Sequence, residues 1–181
     1  AVHIGEAPPT ESYLDMGRII EAAFATGADA IHPGYGFLAE NELFARKVID
    51  AGLIWIGPPP DVIAAMGDKI EAKRLAIVAN VQVIPGISDV STADDIYQWL
   101  DAESIVFPIV IKAAAGGGGK GMVKVDRRED VAQSLEQARS ESKKAFGRDD
   151  ILVEKFIERG RHIEVQIVAD KQGNVVHLYE R

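Results

Sequence analysis

The sequence predicts an α/β protein in three parts: the end of a parallel-sheet unit, a compact α+β unit, and the first strands of a third. Three observations lead there. Up to Pro60, helical and strand patterns alternate with short loops, the signature of a parallel sheet covered by helices. From about residue 84 the order becomes helix, strand, glycine loop, strand, helix, strand. After Gly160 the pattern changes to period-two alternation.

In the first part, Met16, Ile19, Ile20, Ala23 and Phe24 follow helical spacing, and Gly27 stands where a C-terminal cap belongs. Ala30, Ile31 and His32 read as a short buried strand ending at Pro33-Gly34. A second helix follows Asn41, with Phe44, Ala45, Val48 and Ile49 on one face and Gly52 as its stop. The next strand, 53–56, is closed by Gly57 and three prolines. Such sheets usually have more strands, so the first are expected upstream of Ala1. Asp68, with Glu71 three residues on, predicts a capping box that opens a helix through about Ala79. Pro85-Gly86 reads as a break.

The second part is expected to hold helices at 93–102 and 129–146, the latter turning Val131, Leu135, Ala138 and Phe146 inward. Its strands are expected at 106–112, 122–126 and 151–156. In the third part, residues 162–170 alternate, and Asp170-Lys171-Gln172-Gly173 makes a hairpin turn into a last strand. The expected divisions are 1–66, a connecting helix at 67–83, 84–156, and 157–181. A strand at the C-terminal edge and a start at Ala1 suggest a truncated chain, so targeting segments are unobservable.

Composition excludes some functions. A hydrophobic share of 47% supports a buried core, yet no apolar run approaches the roughly 20 residues of a membrane span. A net charge of −8 argues against a surface built along nucleic acid, but leaves room for a small anion held by a local lysine cluster. With no cysteine, thiolate metal sites and Cys nucleophiles are ruled out.

The strongest chemical signal is FPIVIKAAAGGGGKGM at 107–122. A β-branched strand delivers Lys112, then enters a loop with glycine at 116, 117, 118, 119 and 121. Glycine tolerates positive φ and has no Cβ to block approach, so backbone N–H groups can converge on phosphate oxygens. Lys112 and Lys120 add charge nearby. A flexible linker is the plainer alternative, but linkers are usually flanked by polar sequence and this loop joins two apolar strands. It is not a P-loop, because a strand follows it.

This string resembles the ATP-binding signature shared by biotin carboxylases and carbamoyl phosphate synthetases. AIHPGYGFLAEN at 30–41 and GPPPDVIAAMGDK at 57–69 are similar to the biotin carboxylase N-terminal domain. VEKFIERGRHIEVQIVAD at 153–170 is similar to that family's adenine and ribose segment. The resemblance runs through the chain in the family's order. It implies the end of a parallel-sheet pre-ATP-grasp domain, an α+β ATP-grasp lid and the first strands of the ATP-grasp core. The implied activity is carboxylation of biotin on a carrier, with ATP activating bicarbonate to carboxyphosphate.

The resemblance also assigns residues. Lys69 and Lys112 would be the ATP-phosphate lysines, and Gly116, Gly117, Gly118 and Gly119 the lid loop over the phosphates. Glu154, Lys155 and the backbone of Ile157 would meet the adenine edge. Met122 would wall the base, and His162 would meet the ribose or a nearby phosphate. On pattern alone Lys69 is an ordinary first-turn helix lysine, and Glu154-Lys155 an ordinary strand-end pair. The face of His162, Glu164 and Gln166 is then plain solvent-facing alternation.

The magnesium ligands, the bicarbonate arginine and the catalytic base are expected downstream of Arg181. No metal ligand is assigned here, and the chain alone is expected not to carboxylate biotin. Implied partners are a biotin carboxyl carrier domain and a carboxyltransferase, in a homo-oligomeric parent of the cytoplasm or mitochondrial matrix. No nucleic acid or membrane partner is expected. The alternatives are another ATP-grasp ligase, of the carbamoyl phosphate synthetase kind, and a non-catalytic nucleotide-binding module.

Overall fold

The computed structural model describes residues 1–114 and 121–181. Helix α1 (Met16–Ala25) starts at Asp15, whose carboxylate accepts from the Gly17 and Arg18 amides. Strand β1 (Ala30–Ile31) follows, then α2 (Glu42–Asp50), capped by Asn41 on the Phe44 amide, then β2 (Ile54–Trp55). β1 and β2 pair in parallel, as alternating helix and strand predicts. Phe44, Ala45, Val48, Leu53 and Trp55 are buried together, with Phe44 edge-on to the Trp55 ring at 5.7 Å.

The three prolines after Gly57 do more than close β2. Pro60 opens α3 (Pro60–Gly67), which buries Ile63 in the same core. Proline is at home in the first turn, where its missing N–H has no intrahelical partner anyway. The break expected from proline is thus a helix start.

Helix α4 (Lys69–Val78) begins at Asp68, whose carboxylate accepts from the Ile70 and Glu71 amides. This is half of the expected capping box. The Glu71 side chain does not reach back but pairs with Arg74. Asp68 alone is sufficient as a cap, and a full guanidinium outcompetes one amide for the carboxylate.

The second core is organised by a four-stranded antiparallel sheet. Its strands are β3 (Gly86–Ile87), β4 (Ile109–Ala113), β5 (Met122–Val125) and β6 (Ile151–Lys155), in the order β3-β6-β4-β5. α5 (Ala93–Ala102) and α6 (Val131–Phe146) cover one face. Ile96, Leu100, Val131, Leu135 and Ala138 pack there on Ile109, Ile111, Val125, Ile151 and Val153. Phe146 is only half-buried. β3 corrects the expected break at Pro85-Gly86: Gly86 and Ile87 pair with Glu154 and Val153, and the Lys155 amide donates to the Pro85 carbonyl. Two residues are too short to show a period, so only the edge left open by β6 reveals the strand.

Side chains alternate across a strand, so the register fixes the other face. It carries Gly86, Val110, Lys112, Met122, Lys124, Leu152 and Glu154. Strands β7 (Val165–Ala169) and β8 (Val175–Glu180) form a separate antiparallel hairpin, exposed throughout, with the Asp170 carboxylate accepting from the Gln172 and Asn174 amides at its turn.

Candidate functional site

The face of the four-stranded sheet opposite α5 and α6 meets α4 at one end, and there a buried carboxylate lies among lysines. Glu154, on β6, is 8% exposed. One of its oxygens accepts from Lys112 Nζ at 2.7 Å and the other from Lys73 Nζ at 2.7 Å. Lys112 stands on β4, shortly before the glycine-rich sequence. Lys73 comes from α4 and also donates to the Ile84 carbonyl at 2.7 Å. Burial acts to raise the Glu154 carboxyl. The hydrogen bonds and charges of Lys112 and Lys73 outweigh it and hold the group below the ordinary carboxylate value. Glu154 is therefore an anion between two cations.

Lys69, one helical turn before Lys73, lies against the end of β4. Its ammonium donates to the Ala113 carbonyl at 3.1 Å, and its amide to the Ala114 carbonyl at 3.3 Å. Burial, then the charge of Lys112, lower its pKa, with Asp68 acting the other way. Lys69 is thus a partly buried cation close enough to Lys112 for the two charges to repel.

Of the other expected site residues, Met122 lies opposite Lys112 on β5 and is half exposed, free to cover a ligand on this face. Ile157, just past β6, is likewise half exposed. Lys155 points its ammonium at the Val106 and Pro108 carbonyls, 2.7 and 3.3 Å away. Its side chain thereby ties β6 to the approach to β4. His162 is not brought to the cluster. Its side chain is 85% exposed, and its partner is Glu164 at 3.5 Å. Gly116, Gly117, Gly118 and Gly119 lie outside the described residues.

Two family profiles match the chain, one after the other. Residues 1–63 match the family profile described as biotin carboxylase, N-terminal domain. Residues 68–181 match the profile described as carbamoyl-phosphate synthase L chain, ATP binding domain. The two profiles in this order decide between the two families with the glycine signature. The chain is a member of the biotin carboxylase family.

Relatives in this family include pyruvate carboxylase 1 of Caenorhabditis elegans, 50% identical over 175 residues, which are 96% of this chain and 15% of that protein. The biotin-dependent acyl-coenzyme A carboxylase alpha3 subunit of Mycobacterium leprae is 48% identical over 177 residues, 97% of this chain and 29% of that protein. Among solved structures, the biotin carboxylase–β-γ-ATP complex from Campylobacter jejuni superposes with a TM-score of 0.88 at 41% identity, covering 98% of this chain and 40% of that one. The biotin carboxylase domain of Hydrogenobacter thermophilus 2-oxoglutarate carboxylase, in complex with MgADP, ADP and bicarbonate, gives 0.83 at 44% identity, covering 97% and 38%. The chain thus spans well under half of these relatives.

The sequence reading missed two residues of the cluster. Lys73 carried a readable signal, since it follows Lys69 by four positions and so shares its helix face. Gly86 carried none. A Cβ there would stand 2.7 Å from both Lys73 Nζ and Glu154 Cγ and 2.5 Å from the Val153 carbonyl oxygen. Only glycine lets α4 bring Lys73 this close to β6.

Proposed function

We propose that this chain is the nucleotide-binding part of a biotin carboxylase, which uses ATP and bicarbonate to carboxylate biotin on a carrier domain. The observation that carries the reading is the lysine cluster of Lys69, Lys112 and Lys73 around Glu154. It lies where β4 hands over to the glycine-rich sequence. The geometry suits a nucleotide at this face. Lys112 and Lys69 gain by meeting phosphate oxygens, which offset their mutual repulsion and their loss of water. Met122 and Ile157 offer apolar cover for a base.

ATP supplies the phosphoryl group that activates bicarbonate. The part of this chain is to hold and orient the phosphates by charge-assisted hydrogen bonds, the main protein contribution to phosphoryl transfer. Among the described residues no three His, Cys, Asp or Glu side chains are grouped to hold a metal ion. What those residues bring to the phosphates is lysine charge. The same reading assigns a biotin carboxyl carrier and a carboxyltransferase as partners and a homo-oligomer as the parent assembly.

Calorimetric titration with MgATP, ADP and adenosine tests the proposal. The nucleotides should bind more tightly than the nucleoside. Absence of ATP binding at millimolar concentration would remove the nucleotide reading. ADP release that depends on bicarbonate and biotin separates a carboxylase from a mere binding module, and its absence from the parent polypeptide would leave binding alone.

A further inference from the structure

Resting on the nucleotide reading above, we propose that Lys73 is a positioning residue. It holds the Glu154 carboxylate when Lys112 leaves it, so that Lys112 is free to move to the phosphates.

The three charged groups are not equivalent. Glu154 and Lys73 form the inner pair, with side chains 10% and 14% exposed, whereas the Lys112 side chain is 24% exposed. Lys73 is held twice, by Glu154 Oε1 and by the Ile84 carbonyl, both at 2.7 Å. Lys112 meets only the other oxygen of the same carboxylate, Oε2, at 2.7 Å, among the described residues. Gly86 leaves room for the inner pair and for nothing larger.

The cluster therefore has one fixed cation and one cation that can exchange. Glu154 competes with phosphate for Lys112. Were Lys112 its sole counter-ion, moving that lysine to a phosphate would strand a buried carboxylate, which is strongly unfavourable. Lys73 removes this obstacle. The carboxylate keeps a full positive partner throughout, and the ammonium that faces outward is exchanged from one anion to another. Lys73 need not touch the nucleotide. Its effect is felt by the phosphates through Lys112.

Three variants and three probes test this by calorimetry: Lys73→Met, Glu154→Gln and the pair together, titrated with MgATP, inorganic tripolyphosphate and adenosine. In Lys73→Met the remaining Lys112–Glu154 pair is locked, so affinity for ATP and tripolyphosphate should fall at least about tenfold, a loss of about 1.4 kcal/mol. Adenosine affinity should not change. Adding Glu154→Gln to Lys73→Met removes the competing carboxylate and should restore most of the ATP-to-adenosine affinity ratio. Glu154→Gln alone should raise that ratio above that of the unsubstituted chain, and this arm stands even if Lys73→Met does not fold.

Equal losses for ATP and adenosine in Lys73→Met would overturn the proposal in favour of a merely structural lysine. So would a double variant no better than Lys73→Met, or a Glu154→Gln chain whose ratio falls. Tripolyphosphate and ATP both failing to bind the unsubstituted chain would defeat the nucleotide reading itself, and this inference with it.

Discussion

At position 86 a single hydrogen atom in place of a methyl group lets a helix and a strand share one carboxylate. Gly86→Ala would drive a Cβ into Lys73 Nζ and the Val153 carbonyl, and backbone cannot yield as a lysine tip can. The variant should weaken ATP binding more than adenosine binding and lower the unfolding temperature, both readable by calorimetry. Glu154 also sets a pH dependence. Its carboxyl is held below the unfolded value, so its contribution to stability is complete above the ordinary glutamate pKa, about 4.3. It is lost as pH falls through the lower folded value. Denaturant melts of the unsubstituted chain and Glu154→Gln should therefore differ at neutral pH and converge in acid. Lys69 behaves oppositely: burial and the nearby charge of Lys112 lower its pKa, so its charged form is less favoured than in water. Phosphate should raise that pKa, so binding at a pH where the ammonium is partly deprotonated should take up a proton. Titrations in buffers of different ionisation enthalpy would reveal it, and identical heats in all buffers would contradict it.

At the scale of elements, α4 has the decisive position. Its N-terminus docks on the end of β4 through the Lys69 amide, and its second turn delivers Lys73 to β6. Asp68 fixes where it starts, accepting the Ile70 and Glu71 amides at 2.9 and 3.1 Å. Asp68→Ala should cost about 1 kcal/mol through loss of the cap. It should cost phosphate affinity as well, because Lys69 loses its register on β4; equal ATP affinity in the variant would show that docking alone holds the helix. α6 works at a distance. It buries Leu135 against the sheet face opposite the lysines, so Leu135→Ala should destabilise by about 2–5 kcal/mol in chemical denaturation. At saturating nucleotide its ATP-to-adenosine ratio should stay unchanged, since the whole thickness of the sheet separates Leu135 from the charged cluster.

Over the whole molecule, order is unevenly distributed. β4 is buried between two partners and under two helices, whereas every residue of the β7–β8 hairpin is exposed on both faces. A lone two-stranded hairpin is marginal in water. Hydrogen exchange should find the amides of β4 and β6 among the slowest in the chain and those of β7 and β8 among the fastest. Slow exchange in the hairpin would mean that it is packed in solution against something further. The exposed apolar side chains of Val165, Ile167, Val175 and Leu178 mark this hairpin as the part of the fold least able to stand unaided.

Most element identities were legible because they rest on local physics. The helix starts at Asn41 and Asp68, the helical spacing in α1, α2 and α6, and the β-branched run in β4 each involve neighbours in sequence. The strand before the glycine string pointed to Lys112, and family resemblance named Lys69, Lys112 and Glu154. β3 and α3 were hidden because proline and glycine punctuate turns and also open helices and edge strands, a choice made by what lies alongside. The partnership of Lys73, Lys112 and Glu154 was hidden for a stronger reason. Lys73 and Lys112 lie 81 and 42 residues from the carboxylate they share. No periodicity joins positions so far apart; strand register and the close approach permitted at Gly86 do, and these exist only once the sheet has formed.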